Sequence, residues 1–229
     1  MLQSYADDDS WTFFTLAGCP MEFVQAMFKL AKLSSIYEKT KSMEWTIFNT
    51  IPVDMVAEEV KAFRNIERIS LHELDDFRDD PNIRHNRYLC VEAWRHTILL
   101  FICRVFGHVQ TAQDLRKIDY HSRLILDHTR CIPESDFTQK QLLLPIFLAA
   151  AEVGDERNRS FARHYCYHWN NVSRFGHFGS AVELLELIWS DWDENTRDSY
   201  WWGTKIKAGN ESQWGSTTDS SMAQEILLG

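Results

Sequence analysis

The chain has 229 residues, 45% of them hydrophobic, with 24 Lys plus Arg against 33 Asp plus Glu and a formal net charge of -9. That length buries a sizeable core and reads as one domain with room for two lobes. The charge excludes a direct hold on a phosphate backbone, because no local basic patch overrides it and no zinc-finger spacing or cluster of cations among aromatics is present.

Cysteines stand at 19, 90, 103, 131 and 166. An odd, scattered set fits reduced thiols in the nucleus or cytoplasm better than a disulfide framework. The chain opens on acids (Asp7, Asp8, Asp9) rather than on a cationic and apolar leader. Its densest apolar run, TILLFICRVF at 97–106, holds Arg104 and is about half the length that crosses a bilayer. No membrane association is expected.

Gly and Pro are sparse, and apolar residues recur at helical spacing. This predicts an all-α fold of about seven helices in an irregular bundle or solenoid. Residues 1–16 form an acidic segment. Within it DDDSWTFF (7–14) mixes acids with bulky apolars as activation segments do; the plainer reading is an exposed acidic start leading into a packed Trp11 and Phe14. The first helix follows Pro20, with Phe23, Ala26, Met27, Leu30, Leu33 and Tyr37 on one face. The second is expected from Pro52 to about Leu74, with Val56, Val60 and Phe63 inward. The third, 82–106, turns Val91, Trp94, Ile98, Phe101 and Val105 to the core and becomes apolar almost all round, which places it centrally.

Gly107 closes that helix, Thr111 caps a fourth running to about His128, and Pro133 marks the next turn. A fifth runs from near Thr138 to Gly154 and contains LLLPIFLAAAEVG. A proline inside it removes a hydrogen bond and bends the axis at a cost of about 3 kcal/mol. Ala149, Ala150 and Ala151 offer a small-residue face to a neighbour, so the segment reads as a kinked central strut. Asp155 caps a sixth helix to about Arg174, with Phe161, Tyr165, Trp169 and Val172 on one side. After a turn at FGHFGS, a seventh carries Phe178, Ala181, Val182, Leu185, Ile188, Trp189 and Trp192 as an apolar stripe, with Glu183 and Glu186 toward water. Residues 208–229 are rich in Gly, Ser and Thr and read as a disordered tail, where Trp214 and Ile226–Leu228 repeat the acidic-apolar mixture weakly.

Chemistry-bearing motifs are few. Asp75, Asp76 and Asp79 in DDFRDDP match the DDxxD pattern that binds magnesium diphosphate in class I terpene synthases, which resembles an oxygen-ligand site for hard cations. The partner motif N-x-x-x-S-x-x-x-E is missing: Asn195 and Ser199 are followed by Gly203 where the acid belongs. The run also reads as a solvated acidic helix end before Pro81. In HYCYHW, His164 and His168 could share a zinc ion, but Cys166 lies about 200° around the helix from His164. There is no GxSxG elbow, Walker loop, GxGxxG or CxxC, and enzymatic activity is not expected.

LLLPIFLAAAEVGDERNRSFA followed by HFGSAVELLELIWSDWD resembles the C-terminal half of the fungus-specific transcription factor domain of binuclear zinc cluster regulators, with Pro145, Ala149, Arg159, Leu184, Leu185 and Trp189 in matching places. AGCPMEFVQAMFKLAKLSS (17–35) resembles that domain's early helix, so the similarity spans about 17–195, and 17–207 is expected to be the regulatory domain. The resemblance implies a nuclear regulatory and effector domain controlling metabolic genes, secondary-metabolite clusters among them. It implies transcriptional machinery or co-regulator proteins as partners and a small molecule as a further effector. Zinc would belong to an N-terminal six-cysteine cluster outside this sequence, so the chain itself takes no cofactor. Two alternatives from the residues are a helical protein-interaction scaffold and a magnesium-dependent prenyl diphosphate enzyme.

Overall fold

The computed structural model describes residues 18–41, 43, 45–63, 81–107, 112–173 and 176–194. These residues form eight α-helices and no strand, so the fold is all-α as the periodicity predicts. In chain order they are α1 (Met21–Lys41), α2 (Ile51–Ala62), α3 (Pro81–Val105), α4 (Ala112–Arg130), α5 (Phe137–Lys140), α6 (Leu143–Ala150), α7 (Glu156–Val172) and α8 (His177–Glu194). They fall in two compact units, Met1–Ala149 and Ala150–Gly229. The N-terminal segment 1–16, the Thr111 cap and the tail 208–229 lie outside the described residues.

In the first unit α1 buries Phe23, Ala26 and Leu30 of its predicted face, while Met27, Leu33 and Tyr37 are half-buried. Gly18, just before it, has φ of 71°, a left-handed conformation that favours glycine, and a side chain there would collide with Gln141. α3 is central as expected and packs against α1, α2, α4 and α5. Its buried Thr97 hydroxyl donates to the carbonyl of Ala93 at 2.7 Å, and on α4 Ser122 and Thr129 do the same to Ile118 and Ile125 at 2.8 Å each. These back-bonds let a polar side chain enter an apolar helix face without losing a hydrogen bond. Gly107 closes α3 because a Cβ there would overlap the carbonyl oxygen of Cys103.

Two expectations fail in this unit. α2 was expected to reach Leu74, yet it ends at Ala62; Phe63 takes φ of -60° and ψ of 116°, an extended conformation. Apolar periodicity does not register this stop. The predicted fifth helix is two helices, α5 and α6, which is why eight are found where about seven are expected. Leu142 N-H bonds to the Gln139 carbonyl at 3.1 Å, a tight turn between them. Pro145 is therefore the third residue of α6, in the first turn, where a backbone N-H has no helical partner to lose. It starts a helix and kinks none, so the strut reading is corrected. Asp136 caps α5 by accepting the Thr138 N-H at 2.9 Å, and the buried Asn86 of α3 donates to its other oxygen at 2.6 Å.

The second unit is built on the pair α7 and α8. Asp155 caps α7 as predicted, accepting the Asn158 N-H at 3.0 Å. The buried line of α7 is Arg159, Ala162, Tyr165, Cys166 and Trp169; Phe161 is half-buried and Val172 points to solvent. An inward arginine displaces the face that a count of apolar residues alone selects. Along α8, Phe178, Val182, Leu185, Ile188 and Trp189 are buried, with Ala181 and Trp192 at the margin. α8 begins inside the expected turn: Gly179 lies in its first turn and donates its N-H to the Asn170 side chain of α7 at 3.1 Å.

Candidate functional site

Each unit contains one concentration of polar chemistry. In the first, the last carbonyls of α2 have no partner within the helix. Arg95 of α3 supplies it, donating to the carbonyls of Val60, Lys61 (3.3 Å) and Phe63 (2.6 Å). Glu92, one turn earlier on α3, holds the guanidinium from behind at 3.0 and 3.2 Å. Both side chains are almost closed to water, at 12% and 14% exposure. The Phe23 and Phe63 rings flank the cation at 5.7 and 5.8 Å.

Beside Arg95 the rings of His96, His121 and His128 meet between α3 and α4. The Nδ1 atoms of His96 and His121 are 3.0 Å apart, and the His96 and His128 rings stack at 5.8 Å. Burial lowers the pKa of all three. For His96 it falls to about 3, through burial first and then the neighbouring His121, His128 and Arg95; for His121 it falls to about 4, through burial and Lys61. At His128 burial outweighs Glu92 and Asp127. The rings are neutral at cellular pH, and the short contact requires one Nδ1 to donate and the other to accept. Among the described residues no group of three or more His, Cys, Asp or Glu is placed to hold a metal ion.

In the second unit Trp189 is fully buried and its indole N-H donates to the Ala150 carbonyl at 2.9 Å. Arg159, buried beside it, lies over the rings of Trp189 and Trp192 at 5.6 Å each and donates to the Val153 carbonyl at 3.4 Å. Arg163 stacks over Trp189 at 4.7 Å and forks onto Glu186, with Glu156 at 2.6 Å on its other side. Glu186 thus takes part in an ion pair across the helix pair rather than simply facing water. Of the motif residues, Pro145, Ala149, Arg159, Leu185 and Trp189 are buried and Leu184 is half-buried. None lines a cleft.

Asp75, Asp76 and Asp79 lie outside the described residues. His164 is exposed and Cys166 buried on the opposite side of α7, and burial pushes the Cys166 thiol up to about 12, far from a metal-binding thiolate. Cys19 is likewise buried and pushed up to about 12, burial also raises the Cys90 thiol well above its ordinary value, and Cys103 is raised, while Cys131 is exposed. No described helix is long and apolar enough to cross a membrane.

Sequence reasoning misses Arg95 and the histidines. The available signal was His121 and His128 seven residues apart on one face of α4, opposite a polar pair, Arg95 and His96, inside an apolar α3. A cleft of about 230 Å³ lies between α1 and α2, lined by Phe23, Ala26, Val60 and Phe63 with Lys29 and Glu59 at its rim. The connection between α1 and α2 and the start of α2 expose Met43, Trp45, Ile47, Ile51 and Met55, with Trp45 and Ile47 at 93% and 96% exposure.

No curated protein and no solved structure matches the chain. A family model described as the fungal specific transcription factor domain matches residues 2–224, nearly the full length. The all-helical fold of the described residues is in keeping with that match. The chain belongs to the fungal specific transcription factor domain family.

Proposed function

We propose that this domain is the regulatory and effector part of a zinc-cluster-type transcriptional regulator, acting in the nucleus on metabolic genes, secondary-metabolite clusters among them. The family match over residues 2–224 carries the reading. The 229 residues hold no CxxC and a net charge of -9, so DNA is read by another module or by a partner that carries the six-cysteine zinc cluster. The domain itself performs no catalysis and needs no cofactor.

Its means of action is protein contact. Trp45 and Ile47, almost fully exposed, and the neighbouring Ile51 and Met55 are large apolar side chains of the kind that anchor interfaces. The cleft of about 230 Å³ is smaller than the roughly 300–1,000 Å³ usual for small-molecule sites. This favours a co-regulator or the transcriptional machinery over a small-molecule effector as the first partner.

The test is a full-length fusion to an unrelated DNA-binding module at a reporter promoter. Reporter output is expected to change in either direction, and W45A with I47A to reduce that change by half or more. An unchanged reporter, together with affinity-captured partners from outside transcription, overturns the reading in favour of a scaffold. Release of diphosphate from a prenyl diphosphate with magnesium, lost in D75N with D76N, would instead establish an enzyme.

A further inference from the structure

WTIFNT, residues 45–50, joins two helices but has the composition of a strand. Five of its six residues are aromatic or β-branched, and none is charged, Gly or Pro. Such side chains favour a pleated backbone over a helical one. Yet the described residues contain no strand, and 46–50 lie outside any helix. Among the described residues the peptide groups of Trp45, Thr46, Ile47 and Phe48 make no hydrogen bond.

The segment is nevertheless held in place from one side. The Phe48 ring packs on Tyr37 of α1 at 5.0 Å and on Phe106, just past α3, at 5.8 Å. At its end the Thr50 carbonyl accepts the Val53 and Asp54 N-H groups at 2.9 and 3.0 Å as α2 begins. Ile47 and Asn49, on either side of Phe48, are exposed, and so is Trp45. A fixed segment with open peptide groups and exposed apolar side chains is the edge of a sheet that has no second strand, and such an edge is a template for another chain.

The segment's own sequence meets the needs of that second strand. Two copies of a chain with net charge -9 repel each other overall, but positions 45–53 hold no ionisable side chain, so they meet there without opposed carboxylates. Paired antiparallel about Ile47, the two Ile47 side chains face each other and Trp45 lies across from Asn49 of the second copy. The exposed Met43, Trp45, Ile47, Ile51 and Met55 together present on the order of 700 Å² of surface, close to the roughly 800 Å² that each partner buries in a standard interface.

We infer that residues 45–49 pair antiparallel with the same residues of a second copy, joining two domains about a two-fold axis at Ile47. This deepens the reading of Trp45 and Ile47 as contact residues by naming the first protein they meet. It rests on that reading and not on a role in transcription.

Sedimentation of the full chain over a micromolar concentration series tests it. The wild type is expected to approach twice the chain mass. I47D and I47K should each raise the dissociation constant about tenfold or more, by setting like charges on the axis, while helical circular dichroism is unchanged. Mixed in equal amounts the two variants should pair again, because a register that sets position 47 against itself brings their opposite charges together. T46P and I47P remove N-H groups that point to opposite edges of a strand, so at least one of them should weaken pairing more than I47A does. A wild type that stays monomeric at about 100 μM overturns the proposal. So does a dimer indifferent to I47D and I47K, a mixture of the two that stays monomeric, or pairing that neither proline weakens beyond I47A. Particles larger than two chains also overturn it, in favour of unspecific edge aggregation. A monomer that still changes reporter output leaves the proposed function standing, and a dimer with an unchanged reporter keeps the pair and removes that function.

Discussion

Both units rely on an inward arginine, but they ask different things of it. Arg95 in the first unit replaces missing peptide N-H groups: its fork reaches three carbonyls at the end of α2, and Glu92 balances its charge in a nearly dry setting. In the second unit Arg159 and Arg163 are flat cations against Trp189, and the Arg163 ion pairs remain open to water, with Glu156 and Glu186 at 70% and 45% exposure. Direction matters in the first case and contact area in the second. Losing the guanidinium should therefore harm the first unit more, whereas losing the aromatic partner should harm the second.

The largest effect is expected from Trp189→Ala, which deletes a fully buried indole, its bond to Ala150 and the surface on which two arginines rest. Urea unfolding should report a loss of about 3–5 kcal/mol. Arg95→Met should cost about 2–4 kcal/mol, because it strips carbonyls of their donors and strands Glu92. Arg95→Lys should recover less than half of that, since one ammonium cannot reproduce the fork. A lysine that restored full stability would remove the distinction drawn between the two units.

Acid sharpens the comparison further. Unfolded histidine titrates near 6.5, while His96 and His121 in the folded unit hold out to about 3 and 4. Between those limits unfolding takes up protons that the folded rings refuse, so stability is retained above pH 6.5 and declines as the pH falls toward 4. The slope is at most about 1.4 kcal/mol per pH unit for each ring, and less because both rings keep some contact with water. H96Q with H121Q should flatten it, as read by unfolding midpoints between pH 7 and 4.5. The smallest effect is expected from Arg163→Met: a partly exposed pair contributes under about 1 kcal/mol, and high salt should mask even that.

Much of this architecture is legible in apolar spacing. α1, α3 and α8 repeat every third or fourth residue and were found where that pattern puts them. Asp155 announced its helix because a capping side chain acts within three residues. What escaped was set from a distance. Nothing near Ala62 says that the helix stops there; Arg95, 32 residues away from Phe63, captures the carbonyls of the extended exit. Pro145 illustrates the opposite difficulty. The residue is a helix breaker in an interior and neutral in a first turn, and only the tight turn at Leu142 decides which. The histidine cluster belongs to the first kind, since it requires the register between α3 and α4. Of the acidic DDFRDDP run only Pro81, the first residue of α3, is among the described residues.

The cysteines bear on how the domain can be handled at the bench. Cys19, Cys90 and Cys166 are buried with thiols held protonated far above cellular pH, and Cys103 is half-buried with its thiol raised as well. Cys131, exposed after α4, is the natural first target of a maleimide dye. The chain thus carries its own attachment point for a fluorophore, and brief labelling without any cysteine replacement places a probe on the first unit.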